Sequence, residues 1–396
     1  MRAFSVRGPD GYDVVVLGLG GMGSAAAAHL AKRGKRVLGF DQFELGHELG
    51  ASSGHTRIIR KAYFEGPAYV PLLERAYELW RELERETSSV LLDLVGILMV
   101  GVASGSMIQG VRRNTERYGV HVDEIGREQL AKSFPQAHFL RDEIGLFEAE
   151  AGIVFPERGV AAHQNVAVAH GADLRGGLKV ASFFRTNSGT IRVTLEDGEV
   201  VETEQLVICA GPWLAGVAHD VHLPLVVQRN VQIWFAPETG DFARGRFPAF
   251  FLERADMPKP LYGFPDLGEG VKAALHAYGA LTTPAQLDRE IHAADVTAVK
   301  SALDAWLPGA AGEFRSGKAC MYTLTPDEHF IIDRHPHDDG IVIAGGFSGH
   351  GYKFCPVVGE IVADLIDGVT RPDIEFLSLR RFSNAGLATR RRNEPE

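Results

Sequence analysis

The first forty residues alternate between apolar runs and one glycine-rich turn. Residues 13–17 (DVVVL) are short and mostly apolar, which is typical of a buried parallel strand. The alanine-rich segment 24–34 ends at a glycine and predicts a helix with a glycine C-cap. Residues 35–41 (KRVLGFD) predict a second strand. The pattern therefore predicts a strand, a turn over 18–23, a helix and a second strand.

Residues 69–208 include segments with the periodicity of a helix and segments with the periodicity of strands. Apolar residues recur at helical spacing over 69–86, which predicts an amphipathic helix. The run 94–102 predicts a strand. Segments 189–195 and 200–208 flank Asp197 and its following glycine, a pair that favours a β-hairpin. The second of these strands continues into a fully apolar run, so we expect it to enter a buried sheet.

The last part of the chain predicts a second sheet and then a return to the first. Residues 224–236 and 271–278 have the composition of antiparallel strands. The following elements are predicted to be a helix over 285–306, a buried strand over 341–344 and a helix over 356–367.

Nucleotide-binding elements thus lie at both ends of the chain, so the second domain is predicted to be inserted rather than appended. The predicted division gives a discontinuous nucleotide-binding domain over 10–92, 150–220 and 325–385, a substrate domain over 93–149 and 221–324, and a polar tail over 386–396.

Composition narrows the class of protein. The 396 residues are 45% hydrophobic and carry a formal net charge of −10. A negative net charge argues against binding to nucleic acid or to an anionic membrane, because both are negatively charged. Three cysteines, Cys209, Cys320 and Cys355, are too few for a disulfide scaffold and favour a reducing, cytoplasmic compartment. No pair has the spacing of a zinc site, so no metal is expected.

Four glycines in the first turn match the dinucleotide-binding fingerprint GxGxxG. Gly18 permits the tight turn, Gly20 allows the backbone to approach a pyrophosphate, and Gly23 lets the helix pack on the strand. Gly21 lies between them, where the N–H groups of the helix N-terminus face the pyrophosphate. Asp41 follows the second strand, where a carboxylate accepts hydrogen bonds from ribose hydroxyls.

The fingerprint alone leaves FAD and NAD open. A flavin ring lies far from the adenosine, so distant segments must converge on it. Two predicted strands end in glycine-rich turns that could contact the flavin ring, at 207–213 (VICAGPW) and 345–351 (GGFSGHG). The second turn precedes a helix, whose N-terminus would stabilise negative charge on a reduced ring.

Five further motifs in this order resemble those of the monomeric sarcosine oxidase family of flavin amine oxidases, which includes N-methyltryptophan oxidase and pipecolate oxidase. The resemblance extends from Asp13 to Phe382. Its motifs are 53–60 (SGHTRIIR), 262–265 (YGFP), Lys272 with His276, 320–333 (CMYTLTPDEHFIID) and 348–354 (SGHGYKF).

This resemblance implies a fold and an activity. The implied fold is α/β, a Rossmann-type FAD-binding domain with an inserted antiparallel-sheet substrate domain, similar to glutathione reductase and D-amino acid oxidase. The implied enzyme is an FAD-dependent oxidase that is a monomer. It would convert a secondary, N-methyl amino acid and O₂ into the free amino acid, formaldehyde and hydrogen peroxide.

The resemblance also implies residue roles. Cys320 resembles the cysteine bonded covalently to the flavin, and Arg60 with Lys353 the pair that binds the substrate carboxylate. Lys272 resembles the lysine near flavin N5 that promotes reaction with oxygen, and His276 the active-site histidine. Arg57 is expected against the flavin ring, Tyr262 and Tyr322 in the pocket wall, and Ser53, Thr56, Gly346, Ser348, Gly349, Gly351 and Lys353 among the cofactor contacts.

One departure from the family pattern leaves the substrate open. The segment 251–261 looks longer and more charged than its counterpart and is expected to line the pocket. A bulkier or cyclic amine, such as N-methyltryptophan, pipecolate or a glycated amino acid, is the alternative substrate. Two alternatives of another class are an NAD-dependent dehydrogenase and a non-enzymatic nucleotide-binding protein.

Overall fold

The computed structural model describes residues 11–383. These residues form twenty strands and nine α-helices. The predicted polar tail and the outermost residues of the segments 10–92 and 325–385 lie outside this range.

The strands, numbered in chain order, are β1 (Tyr12–Leu17), β2 (Val37–Phe40), β3 (Arg57–Ile59), β4 (Leu92–Asp93), β5 (Ile97–Val102), β6 (Asp123–Ile125), β7 (Glu143–Glu148), β8 (Gly152–Val154), β9 (Asp173–Arg175), β10 (Val180–Arg185), β11 (Ile191–Leu195), β12 (Val200–Ile208), β13 (Val226–Phe235), β14 (Ala249–Leu252), β15 (Leu261–Phe264), β16 (Val271–Leu275), β17 (Leu281–Thr282), β18 (Phe314–Leu324), β19 (Ile331–His335) and β20 (Asp338–Gly345). The helices are α1 (Gly21–Lys32), α2 (Tyr69–Thr87), α3 (Ser106–Tyr118), α4 (Arg127–Ser133), α5 (Pro156–Ala169), α6 (Leu214–Val217), α7 (Ala293–Trp306), α8 (Cys355–Ile366) and α9 (Arg380–Ser383).

The first sheet is the nucleotide-binding one. Its order is β10-β11-β12-β1-β2-β9, with β20 beside β12 and β19 beside β20. β1 is parallel to both β2 and β12, and β20 is parallel to β12. Helix α1 packs against both α5 and α8 on one face of this sheet. The predicted strand, turn, helix and strand at the amino terminus are confirmed by β1, α1 and β2, and the predicted hairpin by β11 and β12.

The second sheet is mostly antiparallel, in the order β17-β13-β16-β15-β14-β5-β7-β6, with β18 along the other edge of β13. Because side chains alternate along a strand, its two faces differ sharply. One face is apolar and packs on α7 through residues such as Ile233, Ala273 and Trp306. The other face carries polar and aromatic side chains from β13, β15, β16 and β18 and is turned toward the glycine-rich turns of the first sheet.

The predicted helix over 285–306 is wrong in its first half, because α7 begins only at Ala293. The side chain of Asp295 accepts the backbone N–H of His292 and caps the helix at that residue. The preceding segment is held extended instead, since Arg229 on β13 donates to the carbonyl oxygens of Asp288 and Glu290. Apolar periodicity alone cannot detect such an anchor.

None of the helices between residues 11 and 383 combines the length and the apolar character needed to cross a bilayer. Residues 14–31, which carry no formal charge, are divided between β1, a turn and α1. The predicted division into two domains stays a prediction.

Candidate active site

The glycine turn after β1 has the geometry that a dinucleotide requires. Gly18 has φ +86°, and a Cβ there would lie 2.5 Å from the carbonyl oxygen of Cys209. A Cβ on Gly23 would lie 1.7 Å from the carbonyl oxygen of Gly18, so only glycine lets α1 approach the turn this closely. At Gly20, by contrast, the nearest atom is the Ser52 hydroxyl at 3.8 Å. The backbone there faces open space, as close approach by a pyrophosphate demands.

Asp41 is buried beside this turn and is fixed by three contacts. Its carboxylate accepts the backbone N–H groups of Leu19, at 2.9 Å, and Phe43, at 3.0 Å. His47 Nε2 lies 3.2 Å from the same carboxylate. The sequence motifs give no reason to single out His47, although its ring lines the same cavity.

A cavity of about 730 Å³ runs from this turn to the polar face of the second sheet. Its size is that of a site for a cofactor and a small ligand together. Lys272 and Cys320 lie beside the cavity rather than in its lining. The lining includes Gly18, Gly20, Gly21, Asp41, Arg57, Arg60, Glu65, Tyr262, His276, Tyr322, Gly346, Ser348, Gly349, Gly351 and Lys353.

The segment 53–57 is clamped between a carboxylate and an ammonium group. Glu157 at the start of α5 accepts the backbone N–H groups of Gly54, at 2.6 Å, and His55, at 3.0 Å. On the opposite side, Lys272 Nζ donates to the carbonyl oxygen of Gly54 at 2.5 Å. It also donates to the carbonyl oxygen of Thr56 at 2.9 Å and to its hydroxyl at 3.0 Å.

Lys272 is therefore surrounded by three acceptors, one for each N–H of an ammonium group. It also lies over the rings of Trp234 and Phe264, at 5.1 Å and 4.9 Å from their centroids. Burial, and then the charge of Arg57, lower the pKa of Lys272 well below its usual value. The residue has the buried, perturbed character of a functional lysine.

Arg57 closes the same segment from the cavity side. Its guanidinium donates to the carbonyl oxygens of Thr56, at 2.8 Å, of Ala51, at 3.2 Å, and of Ser53. Its Nη1 also lies 3.5 Å from the side-chain oxygen of Gln232 on β13. Ser53 and Thr56 are buried, and neither belongs to the lining of the cavity. The Ser53 hydroxyl donates to the carbonyl oxygen of Glu48 at 3.2 Å, and the Thr56 hydroxyl accepts from Lys272.

Arg60 and Lys353 lie in one buried corner of the cavity, as expected. Arg60 is 3% exposed and already holds a carboxylate, since its Nη2 donates to the two oxygens of Glu65 at 2.6 and 2.8 Å. Although burial pushes the pKa of Glu65 upward, Arg60, His350 and Lys353 hold it at about 2. Sequence motifs do not identify Glu65, because it lies outside the quoted segments.

Lys353 Nζ donates to the carbonyl oxygen of His350 at 2.7 Å. Burial, and then the charge of Arg60, lower the pKa of Lys353 to about 7, against the opposing effect of Glu65. His350 itself is bound by Tyr63 at Nδ1 and by the Glu328 carbonyl at Nε2, and burial lowers its pKa to about 3. His350 thus supports the corner as a neutral ring.

An aromatic wall faces this corner. His276 follows β16 and packs against the rings of Phe251, Tyr262 and Tyr322, with centroids 5.5 to 6.3 Å apart. Its Nδ1 lies 3.4 Å from the Tyr322 hydroxyl. Burial lowers the pKa of His276 to about 4 and raises those of both tyrosines. Lys272 on β16 and His276 just after it are four residues apart, but they belong to two different parts of the site.

The glycine turn after β20 packs directly on this wall. Gly346, Ser348 and Gly349 all have positive φ angles, +61°, +47° and +81°. A Cβ on Gly349 would lie 2.3 Å from the ring of Tyr322. The backbone N–H of Ser348 is held by the carbonyl oxygen of Thr323 at 2.9 Å. This turn delivers Gly351 and Lys353 to the cavity just before α8 begins.

The three cysteines have different surroundings. Burial raises the pKa of Cys209 to about 12 and that of Cys355 well above its usual value, so both are inert thiols. Cys320 on β18 is also buried, but its Sγ accepts a hydrogen bond from Gln232 Nε2 at 3.3 Å. It lies two residues from Tyr322 and on the same face of the sheet.

The expectation for the segment 251–261 is only partly met. Phe251 and the end of the segment reach the site, since Pro260 accepts the backbone N–H of His276 at 2.8 Å. Two of its charged residues pair outside the site: Glu253 accepts from Ser106, and Arg254 forms a buried ion pair with Glu143 at 2.5 Å. Lys259, by contrast, is among the charges that, after burial, lower the pKa of His276.

Comparison with known proteins agrees with this geometry. The family described as FAD dependent oxidoreductase matches residues 13–365. The chain belongs to this family. The turn after β1, the buried Asp41 and the cavity fit its cofactor, FAD, and the predicted flavoenzyme fold is confirmed. The NAD-dependent alternative has no support from this match.

Two relatives of known name match almost the whole chain. The monomeric sarcosine oxidase of Streptomyces avermitilis is 40% identical over 381 residues, which cover 94% of this chain and 98% of that protein. The N-methyl-L-tryptophan oxidase of Yersinia pestis is 33% identical and covers 94% and 99%. Among solved structures, the L-proline dehydrogenase from P. horikoshii has a TM-score of 0.82 at 23% identity, covering 94% and 98%. The predicted family and the predicted class, an FAD-dependent amine oxidase, are confirmed.

Proposed function

We propose that this flavoenzyme oxidises secondary amino acids, above all N-methyl amino acids, and releases the free amino acid, formaldehyde and hydrogen peroxide. The observation that carries the proposal is the corner of Arg60 and Lys353 opposite the ring of His276, in the cavity that begins at the glycine turn after β1. A small amino acid can place its carboxylate in this corner and its nitrogen near the aromatic wall. The names of the relatives support the same substrate class.

Arg60 and Lys353 bind the substrate carboxylate in this proposal. Glu65 supports the assignment, because Arg60 pairs with its carboxylate in this corner through two hydrogen bonds. An incoming carboxylate competes with Glu65 for Arg60, whereas Lys353 has spare N–H groups beyond its bond to His350. Lys353 therefore provides the first contact with the substrate.

His276 faces the substrate nitrogen as a neutral ring. Burial lowers its pKa to about 4, so near pH 7 one ring nitrogen has a lone pair that can accept a hydrogen bond from the amine. The ring is too weak a base to deprotonate an ammonium group, so the amine reacts in its neutral form, which has the lone pair that oxidation at the adjacent carbon requires. The Tyr322 hydroxyl, 3.4 Å from Nδ1, orients the ring.

FAD, when bound, supplies the two-electron redox chemistry of both half-reactions. Lys272 contributes a fixed positive charge to the oxygen half-reaction. Its three hydrogen bonds hold it rigidly beside the loop 53–57, and a preorganised cation stabilises the negative charge that oxygen develops as it accepts electrons. Arg57 adds a second charge to the same region of the cavity.

Cofactor attachment is also part of the proposal. We infer a covalent bond between Cys320 and FAD, because this thiol is the one among the three that has a polar partner and an aromatic neighbour from the cavity lining. Gly18, Gly20, Gly21, Gly23 and Asp41 would hold the adenosine and pyrophosphate, and residues 346–353 the region of the flavin ring. A monomer is inferred from the relative that is a monomeric sarcosine oxidase, and a cytoplasmic location stays a prediction.

A screen of peroxide release tests the substrate class. Sarcosine and other small N-methyl amino acids should release peroxide, while the corresponding primary amino acids should be poor substrates. Higher activity with N-methyltryptophan, pipecolate or a glycated amino acid would favour the bulky or cyclic alternative. Activity confined to amines without a carboxylate would refute the assignment of Arg60 and Lys353.

A further inference from the structure

Gln232 is a buried polar side chain that none of the functional motifs contains. It lies on β13 and is 1% exposed. Its amide stands between two groups of the site: Nε2 donates to Cys320 Sγ at 3.3 Å, and Oε1 lies 3.5 Å from Arg57 Nη1. A buried amide with no partner would be destabilising, and here each end of the amide has one.

The sheet and the loop 53–57 fix the position of this amide. Asn230, not Gln232, is directly opposite Cys320 in the pairing of β13 with β18. Gln232 is the diagonal neighbour on the same face, and a long side chain reaches across that distance. Gly54 packs against the amide, since a Cβ at Gly54 would lie 2.2 Å from Oε1. The absence of a side chain at Gly54 therefore leaves room for Gln232.

The orientation of the amide follows from its neighbours. Arg57 is a donor only, so it requires the oxygen of the amide to face it. The nitrogen then faces Cys320. Reversing the amide would set two donors against each other at Arg57 and would leave the sulfur without a donor.

We propose that Gln232 is a positioning residue for the attachment of FAD to Cys320. Its N–H aims the sulfur and stabilises the thiolate, which is the attacking species. The inference rests on the proposed covalent attachment and adds to it the group that prepares the thiol. Gln232 also couples this thiol to Arg57, which anchors the amide from its other end.

The attachment reaction conserves atoms and electrons. A C–S bond forms between Sγ and the 8α-methyl carbon of the flavin, while the S–H bond and one methyl C–H bond break. The two electrons from these bonds reduce the flavin ring. O₂ then accepts two electrons and two protons and becomes hydrogen peroxide, so oxygen is the oxidant in the attachment as in turnover.

Gln232 is one of several polar side chains that act on Cys320. Lys272, Arg229, Tyr262 and Tyr322 all interact electrostatically with the thiol. Gln228 supplies a matched control, because it is the other diagonal neighbour of Cys320 on the same strand face. Its amide nitrogen donates to the Ala277 carbonyl at 3.4 Å and its amide oxygen accepts from Asn230 Nδ2 at 3.4 Å, so both ends of this amide have partners other than the sulfur.

The test measures covalent flavin rather than turnover. Apoprotein of the full chain, made in riboflavin-limited cells, is mixed with FAD in air, and the fraction of flavin retained after acid precipitation is followed with time. Gln232→Met and Gln232→Glu are compared with wild type and with Gln228→Met. At neutral pH the Gln232→Met variant should attach FAD about tenfold more slowly, the loss of one hydrogen bond to a charged group.

Two readouts separate positioning from a general structural role. The Gln232→Glu variant should be the slowest of all, since it keeps the size of the side chain and a partner for Arg57 but places an anion beside the sulfur. In a Cys320→Ser background, Gln232→Met should leave noncovalent FAD affinity unchanged.

Attachment by Gln232→Met at the wild-type rate would overturn the inference. So would a Gln232→Glu variant that is faster than Gln232→Met, or a loss of noncovalent FAD affinity that accounts for the slower attachment. If wild-type flavin leaves the protein on acid precipitation, the proposed covalent bond is wrong and this inference falls with it, while the proposed oxidase activity stands on its own measurement.

Discussion

Replacing Lys353 with methionine tests the carboxylate corner most sharply. Lys353 is 5% exposed, and burial together with Arg60 lowers its pKa to about 7. Methionine keeps the length and removes the charge. The change should weaken the binding of any carboxylate ligand, and it should do so only at pH values where the wild-type lysine is protonated.

The magnitude follows from the single charged hydrogen bond that is lost. Such a bond contributes about 1.5–3 kcal/mol, so binding should weaken about 10- to 150-fold on the acid side of pH 7. Because the pKa is lowered in the ligand-free enzyme, the ammonium group is present below about pH 7 and is lost as the pH rises through that value. Wild-type affinity should fall over this range and approach that of Lys353→Met.

A monocarboxylate without an amine, such as propionate, is the appropriate ligand, because it does not titrate between about pH 6 and pH 9. Binding is followed by the change in the flavin absorption spectrum. Lys61→Met is the matched control: Lys61 is the next residue after Arg60, but it pairs with Glu150 at the surface at 2.7 Å. The Lys61→Met variant should bind propionate with the affinity and the pH profile of wild type.

Two results would refute this reasoning. Equal propionate affinity in wild type and Lys353→Met at about pH 6 would show that Lys353 does not bind the carboxylate. A wild-type affinity that does not change with pH would show that the buried ammonium is not the group that titrates.

Three further changes have defined outcomes. Lys272→Met should slow reoxidation by O₂ far more than anaerobic flavin reduction in stopped-flow traces, because the cation acts where oxygen becomes negative; unchanged reoxidation would contradict this role. Cys320→Ser should fold and bind FAD but release it on acid denaturation, whereas an intact mass of wild type without added flavin would refute covalent attachment. Burial lowers the pKa of His163 to about 3, so below about pH 6.5 the unfolded state binds more protons and stability falls with the pH. His163→Gln should reduce this slope by up to about 1.4 kcal/mol per pH unit in denaturant titrations, and an unchanged slope would contradict the buried neutral ring.

The sequence predicts the scaffold well where the physical signal is local. The glycine turn, its flanking strands and Asp41 are adjacent in sequence, and each has its own steric or electrostatic reason. Arg60 and Lys353 are far apart in sequence, so their meeting in one corner could only be expected from the family motifs. Folding brings them together because β3 and the turn after β20 both border the same cavity.

Residues that act through other side chains escape such reasoning. Gln232, Glu65 and Glu157 hold Cys320, Arg60 and the loop 53–57, respectively, and none has a sequence neighbour that indicates its partner. An alternation of polar residues on β13, an otherwise apolar strand, is the one signal that could have pointed to Gln232. The same reason explains why apolar periodicity does not predict the extended segment before α7: its anchor, Arg229, lies on β13.

The central claim is that a secondary amino acid reduces the flavin of this enzyme. The most direct measurement mixes the holoenzyme anaerobically with sarcosine and follows the flavin absorption band, then admits air and assays the products. The account predicts bleaching of the band at a rate that saturates with sarcosine concentration, followed on aeration by formaldehyde and hydrogen peroxide in equal amounts. A flavin that stays oxidised with sarcosine and with every other secondary amino acid would contradict it.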